Sequence, residues 1–303
     1  MQASIVVVGS LNMDLVVRAE RLPMAGETLA GESFTTVPGG KGANQAVAAA
    51  RLGAQVAMIG CVGDDAYGVQ LLQSLAAEGI DCQAVSISAG TSSGVALIVV
   101  GAASQNAIVV VAGSNGQLLP ESVQRFDALL QPAKLIICQL EVPALTVLHT
   151  LERGHALGKV VILNPAPVAG PLPSNWLALA DYLIPNESEA AALTGLPVTS
   201  RETAEGAALK LLALGAGKVI ITLGGEGAVF ADVQGVEHFP APNVQPVDTT
   251  AAGDTFVGGF AAALLAGRGE RDAIAFGQRA AALSVTRAGA QPSIPRLGEL
   301  ESV

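Results

Sequence analysis

Lysine and arginine are scarce in this chain, 16 against 26 aspartates and glutamates, for a formal net charge of −10. That deficit argues against sequence-independent nucleic-acid binding, which needs cations to neutralise phosphates. Cysteine is scarcer still. Cys61, Cys82 and Cys138 are odd in number and unclustered, so neither a disulfide framework nor a thiolate metal site is expected, and buried free thiols are. His149, His155 and His238 fall in loop-like or weakly patterned segments, none at metal-ligand spacing, so zinc hydrolysis drops out. There is no G-x-S-x-G elbow for a serine nucleophile. Although 50% of the residues are hydrophobic, no apolar run reaches the ~18 residues of a membrane span. The best candidate, Gly94 to Gly113, is broken by Ser104-Gln105-Asn106. Met1-Gln2-Ala3-Ser4 runs straight into Ile5-Val6-Val7-Val8-Gly9 with no basic segment or cleavage site, so a soluble, cytoplasmic chain is the expectation.

What is there is alternation. Short Val, Ile and Leu runs at Ile5–Val8, Val56–Gly60, Leu135–Cys138, Val160–Leu163, Tyr182–Ile184 and Val219–Thr222 are separated by helical patterns at Asn44–Leu52, Gly68–Glu78, Pro120–Leu130, Ala144–Leu157, Ser188–Leu193 and Thr203–Leu214. Runs apolar at every position suit strands covered on both faces, so 303 residues read as one α/β domain with a doubly wound, mainly parallel sheet. Two segments, 13–37 and 94–111, break the rhythm with strands at Leu15–Val17, Thr28–Val37, Val95–Val100 and Ile108–Val111, the last pair joined by a turn around Gly101–Asn106. They predict a small separate sheet, acting as a lid over the site. Because Val95–Val100 is apolar throughout, a second subunit is expected to cover it, giving a homodimer.

Strand ends of an open α/β sheet face the ligand crevice. Here they carry Ser10, Asn12 and Asp14; Gln139 and Glu141; Asn164; Asn186, Glu187 and Glu189; and the Gly224-Gly225-Glu226-Gly227 loop. Acids and amides at nearly every strand end point to one polar site. A glycine loop, Pro38-Gly39-Gly40-Lys41-Gly42-Ala43-Asn44-Gln45, fits neither a Walker A loop nor a dinucleotide fingerprint. It offers open backbone, a cation and an amide to a hydroxylated ligand, or it is a plain helix-entry turn. The stretch Asp248-Thr249-Thr250-Ala251-Ala252-Gly253-Asp254-Thr255-Phe256 leads into an apolar helix, whose unpaired N–H groups suit an anion. Judged from its own turn, Asp254 is an N-cap more readily than a proton acceptor.

The two glycine-bearing motifs together resemble the paired signatures of the ribokinase-like carbohydrate kinases. The similarity continues through Gly9-Ser10-Leu11-Asn12-Met13-Asp14, Leu163-Asn164-Pro165-Ala166-Pro167, Pro185-Asn186-Glu187-Ser188-Glu189 and Thr286-Arg287-Ala288-Gly289-Ala290-Gln291-Pro292-Ser293. The resemblance implies ATP-dependent phosphorylation of the primary 5-hydroxyl of D-ribose. A 2-deoxyribose or other ribosyl sugar is the alternative within the class, and a catalytically silent sugar sensor the one outside it. It implies that Asn12, Asp14, Gly40, Lys41, Asn44 and Glu141 hold the sugar. Asp254 would take the hydroxyl proton, and the amides of Ala251, Ala252 and Gly253 would receive the developing charge. ATP would lie along Asn186, Thr222, Gly224, Gly225, Gly227 and Gly253, with adenine near Gln278. Magnesium would be organised by Glu189 through water, and potassium held by Asp248 and Ser293 with carbonyls of Thr250, Ser284, Arg287 and Gly289.

Overall fold

The computed structural model describes residues 3–102, 105–168 and 170–300. β1 (Ile5–Val8) lies inside the main sheet, and all four of its side chains are fully buried. The other strands, in chain order, are β2 (Asn12–Ala19), β3 (Ser33–Gly39), β4 (Val56–Gly63), β5 (Asp81–Ser88), β6 (Gly94–Gly101), β7 (Asn106–Val111), β8 (Leu135–Cys138), β9 (Val160–Leu163), β10 (Tyr182–Leu183), β11 (Lys218–Thr222), β12 (Ala228–Asp232) and β13 (Gly235–Phe239). Among the described residues, nine strands form one sheet in the order β13-β12-β11-β10-β9-β8-β1-β4-β5. Neighbours from β11 to β5 are parallel, and β12 and β13 add an antiparallel edge.

Successive strand residues serve opposite faces, so the sheet feeds two cores. Ile5, Val7, Met58, Ile137 and Ile220 pack beneath the helices Lys41–Arg51 and Ala252–Leu265, while Val6, Val8, Ile136, Cys138 and Leu163 pack with the Ala144–Ala156 and Arg201–Ala213 side. Each such aliphatic chain contributes on the order of 1.5–3 kcal/mol by leaving water. β1 has β4 on one side and β8 on the other, and the chain reverses direction across the sheet there. A crevice outside the carboxyl ends of β1 and β8 follows from that reversal.

Four further strands form the smaller sheet, in the order β3-β2-β6-β7. β2 begins buried at Asn12, Met13 and Asp14 and grows more exposed outward. Strand β3 starts only at Ser33, so residues 28–32 of the expected strand lie outside it. The exposed apolar surface comes mainly from β7, not from 95–100 as expected. In strand β6, Val95, Ile98, Val99 and Val100 are half-buried and Leu97 is exposed, whereas Ile108, Val109, Val110 and Val111 are 45% to 61% exposed on the edge strand. Part of the turn expected around Gly101–Asn106 lies outside the described residues.

Other sequence expectations need correction. The helix expected over Pro120–Leu130 is two short pieces, Pro120–Arg125 and Asp127–Leu130, because the Phe126 amide closes a tight turn on Val123. His149 and His155 lie on the Ala144–Ala156 helix, inside the helix expected over Ala144–Leu157, and His238 lies on β13, not in a loop-like or weakly patterned segment. Cys61 and Cys138 are buried free thiols, and Cys82 is half-buried. No helix among the described residues is long and apolar enough to cross a membrane.

One packing contact sets the site. The helices Lys41–Arg51 and Ala252–Leu265 cross where Gly258 lies against Ala48 and the Gln45 carbonyl. A Cβ at Gly258 would fall 2.7 Å from that carbonyl oxygen. Only a missing side chain allows this approach, and it brings the N-terminal turns of both helices together.

Candidate active site

The crevice at the sheet's reversal is closed by direct bonds across it. Ser10, just after β1, donates its hydroxyl to Glu141 Oε2 at 2.5 Å, just after β8. The Lys41 amide donates to the same oxygen at 3.0 Å, and the Gly42 amide to Ser10 Oγ at 3.2 Å. The loop must therefore run against backbone. Gly40 has φ +88° and a Cβ there would lie 2.7 Å from the Asn12 nitrogen, while one on Gly42 would lie 2.6 Å from the Ser10 nitrogen. The Lys41–Arg51 helix starts at this loop without a side-chain cap, its first amides turned to the crevice instead. Asn12 accepts from Asn115 Nδ2 at 2.7 Å, and Asn115 is itself fixed to both backbone groups of Leu11.

Asp254 is not the helix cap. Ala251 holds that position with φ 59°, a left-handed conformation rare for a residue with a Cβ, and makes no side-chain cap bond. The buried Asp254 carboxylate turns instead toward the facing helix, accepting from Asn44 Nδ2 at Oδ2 and from Gln45 Nε2 at Oδ1, each at 2.9 Å. Of the three amides expected to bind charge, that of Ala252 already donates to Thr249 at 3.2 Å. Those of Ala251 and Gly253 have no acceptor among the described residues.

Four carboxyl groups, those of Asp14, Glu141, Glu189 and Asp254, share this space with one lysine. Burial, then the charges of Glu141 and Asp254, push the Asp14 carboxyl up to about 7. Burial is also the largest single influence on Lys41 and opposes its charge, but Asp254, Glu141 and Glu189 together outweigh it, so its pKa is raised and the ammonium is secured. Glu189 is buried while Glu187 is exposed, and burial raises the Glu189 carboxyl despite the Asn186 amide and Lys41. It closes a capping box with Asn186.

Two cavities meet at the Ala252–Leu265 helix start. The smaller, about 190 Å³, is lined by Lys41, Asn164, Asn186, Glu189, Gly253 and Asp254. The larger, about 570 Å³, runs past Gly224, Gly225 and Gly227 to Val244, Phe256 and Gln278. Thr222, Thr249, Ala252 and Gly253 line both. A Cβ on Gly227 would collide with the Phe239 carbonyl, and Gln278 Nε2 donates to that same carbonyl at 2.8 Å. Neither cavity is lined by Asn12, Asp14 or Glu141, which join through Lys41 and Asp254.

Beside the helix start, the Val247 and Asp248 amides donate to the Val285 carbonyl, and Gly289 N donates to Asp248 Oδ2 at 2.8 Å. Burial alone would raise the Asp248 carboxyl and is its largest influence, but bonds from the Thr250 hydroxyl and the Gly289 and Thr250 amides hold it below its ordinary value. Asp248, Thr250, Arg287 and Gly289 thus belong to two stitched loops, and the Ser284 carbonyl accepts from Arg287 N. Ser293 is fully buried and donates to Ala290, with no hydrogen bond to the Asp248 loop among the described residues. No cluster of three His, Cys, Asp or Glu able to hold a metal occurs among the described residues.

Apart from Ser293, the residues expected at the site lie in or beside the crevice, the two cavities and the two stitched loops. Sequence reasoning left without a role five that hold them there: Ser10, Gln45, Asn115, Gln139 and Asn164. Ser10, Gln139 and Asn164 stand at strand ends and Gln45 in the glycine motif, so their positions were legible. Asn115, in a short turn after β7, carried no pattern.

The profile of the pfkB family carbohydrate kinase matches residues 2–297. A ribokinase of Schizosaccharomyces pombe is 42% identical over 98% of this chain and 96% of its own length. A deoxyribokinase of Salmonella typhi is 40% identical over 97% of this chain and 96% of its own. Among solved structures, an Arabidopsis thaliana ribokinase complexed with ribose and ATP superposes with a TM-score of 0.93 at 32% identity, covering 100% of this chain and 98% of the other. With the match spanning both glycine motifs and every strand of both sheets, the chain belongs to the pfkB family of carbohydrate kinases.

Proposed function

We propose that this protein transfers the γ-phosphoryl group of ATP to the primary 5-hydroxyl of D-ribose, giving D-ribose 5-phosphate and ADP. The observation that carries this is the position of Asp254 in the smaller cavity, next to Gly253, which lines both cavities and has an open amide, and bonded to Asn44 of the facing helix that Lys41 begins. Asn12, Asp14, Gly40, Lys41, Asn44 and Glu141 would bind the sugar hydroxyls, with Ser10 and Asn115 keeping Glu141 and Asn12 in place. The larger cavity suits the nucleoside, its apolar end by Val244 and Phe256 taking the base near Gln278, and the Gly224–Gly227 loop and Thr222 the phosphates.

In the transfer, the 5-hydroxyl oxygen forms a bond to the γ-phosphorus as the bond to the β-phosphate oxygen breaks, and the proton passes to Asp254. A carboxylate is a weak base for an alcohol, so Asp254 aims the hydroxyl and accepts the proton late. The Ala251 and Gly253 amides and the helix dipole receive the charge that develops on the transferring group. Magnesium on the ATP phosphates would neutralise their charge. Glu189 and Asn186 suit it through water, consistent with a site that lacks a dense carboxylate cage. Potassium would fit the stitched loops, where charged Asp248 and the carbonyls of Thr250, Ser284, Arg287 and Gly289 lie near the anion-binding turn. Buried Ser293 would join that set only by turning its hydroxyl from the Ala290 carbonyl.

The small sheet rooted at Asn12 and Asp14 is suited to act as a lid from 13–37 and 94–111 on a single 1–303 domain, and the exposed valines of β7 to pair two chains. A relative that acts on deoxyribose is nearly as similar as one that acts on ribose, so the decisive assay is coupled ADP release with ribose, 2-deoxyribose, hexoses and nucleosides, with potassium, sodium or neither. Ribose-dependent ADP release stimulated by potassium supports the whole reading. Release on deoxyribose alone replaces the substrate, equal rates with sodium remove the potassium site, and sugar binding without ADP release leaves a sensor.

A further inference from the structure

Asp254 is reached from behind by a chain of three buried carboxamides for which the phosphoryl-transfer reading has no role. Gln45 and Gln139 are fully buried, and Asn164 is 8% exposed. Gln139 Nε2 donates to Gln45 Oε1 at 2.6 Å. Gln45 Nε2 spends its two hydrogens on Asp254 Oδ1 at 2.9 Å and on Asn164 Oδ1 at 3.0 Å. Asn164 Nδ2 donates to the Ile184 carbonyl at 2.8 Å.

The direction of every amide follows from one fixed acceptor. A backbone carbonyl cannot donate, so Asn164 must turn its Nδ2 to Ile184 and its oxygen to Gln45. Gln45 then meets two acceptors, Asn164 Oδ1 and the Asp254 carboxylate, and must present its nitrogen to both. Its oxygen is left facing Gln139, which must in turn present nitrogen. No amide can flip without setting oxygen against oxygen in a buried place, where an unmade bond is costly. The Gln139 oxygen absorbs the mismatch. It has no donor and sits against the Cα of Gly9, where any side chain would strike it.

We infer that Gln45 is the positioning residue for Asp254, and that Gln139 and Asn164 fix it by tying its carboxamide to the ends of β8 and β9. Asn44 holds one carboxylate oxygen and Gln45 the other, so the plane of the carboxylate is set and its remaining lone pairs face the crevice. A carboxylate free to rotate would meet the hydroxyl in many orientations, and alignment is where positioning contributes to rate. The inference rests on Asp254 being the proton acceptor of the proposed kinase.

The test is Gln45→Met, which keeps length and apolar volume but removes both donors, alongside Gln139→Met and the double variant, with ADP release and urea unfolding measured on each. The expected result is a kcat about ten- to a hundred-fold lower for Gln45→Met with the sugar KM within about two-fold of wild type. Gln139→Met, which leaves every Asp254 contact in place, should lower kcat about three- to ten-fold and add nothing in the Gln45→Met background. A purely structural role would change the unfolding midpoint and give additive losses without this split between kcat and KM. A Gln45→Met enzyme with wild-type kcat, or additive losses, overturns the inference. Should Gln45→Met not fold, unchanged kcat in Gln139→Met overturns it by itself. A wild-type protein that releases no ADP with any sugar removes the kinase reading, an outcome distinct from an active wild type with an equally active Gln45→Met.

Discussion

Replacing Asp14 by asparagine should stabilise the protein in alkaline solution while impairing sugar binding. In the folded chain Asp14 is 8% exposed, and burial with the nearby Glu141 and Asp254 moves its carboxyl from 3.8 to about 7. Between those two values the folded state keeps a proton that the unfolded state has released, so raising the pH favours unfolding. At 1.36 kcal/mol per unit, wild type loses about 4 kcal/mol by this route once the pH passes 7, of which about 3 kcal/mol falls between pH 5 and pH 8. The carboxamide of the Asp14→Asn variant does not titrate, so the variant's stability relative to wild type should rise by about that amount from pH 5 to pH 8. Urea unfolding can be followed through the fluorescence of the one tryptophan, Trp176, which is buried and so reports the loss of the fold. Sugar titrations run in parallel should show wild-type affinity improving as Asp14 ionises and a flat, weaker response in the variant. A stability difference that does not change with pH would refute the account, because it would mean that the carboxyl ionises in the folded chain as easily as in the unfolded one.

Asp254→Asn should retain sugar binding, measured calorimetrically, and lower kcat by about 10²- to 10⁴-fold, the range of a lost general base. Its amide also sets one N–H against the donors of Asn44 or Gln45, so an unfolding free energy lower by about 1–3 kcal/mol should accompany the loss. Gly258→Ala should separate the two crossing helices at the cost of about 1–3 kcal/mol and reduce turnover, although residue 258 lines neither cavity. If two chains pair through exposed β7, Val109→Asp should leave the unfolding free energy within about 0.5 kcal/mol yet shift sedimentation from dimer to monomer, and an unchanged sedimentation would refute that pairing.

How much of this was legible in the sequence depended on the kind of signal. Ile5–Val8, Leu135–Cys138 and Val160–Leu163 were read to the residue, because a strand covered on both faces needs an unbroken apolar run with polar residues at each end. β5, β12 and β13 were missed, being short or half-exposed strands whose patterns resemble loops. The Glu270–Ser284 helix was missed because only Ile274 and Phe276 of its buried residues are large and apolar, and Ala273, Gly277, Gln278, Ala280 and Ser284 do not announce a face. At the site, the motif residues were legible as motifs. That Asp254 serves the opposite helix and not its own start was not, since capping is local and the Asn44 and Gln45 contacts span 210 and 209 positions. Buried Glu189 and exposed Glu187 could be told apart only by packing, as both suit a first helical turn.

β2 carries a consequence of its own. Its first residues, Asn12 and Asp14, belong to the floor of the crevice, and the same unbroken strand continues outward paired with β3 along one edge and β6 along the other. The ladder on both edges of β2 couples the tilt of the outer sheet to the position of its root. Seating a sugar on Asn12 and Asp14 loads one end of that ladder. If two chains meet across β7, the other end bears on a neighbour, and each crevice is mechanically in series with its twin.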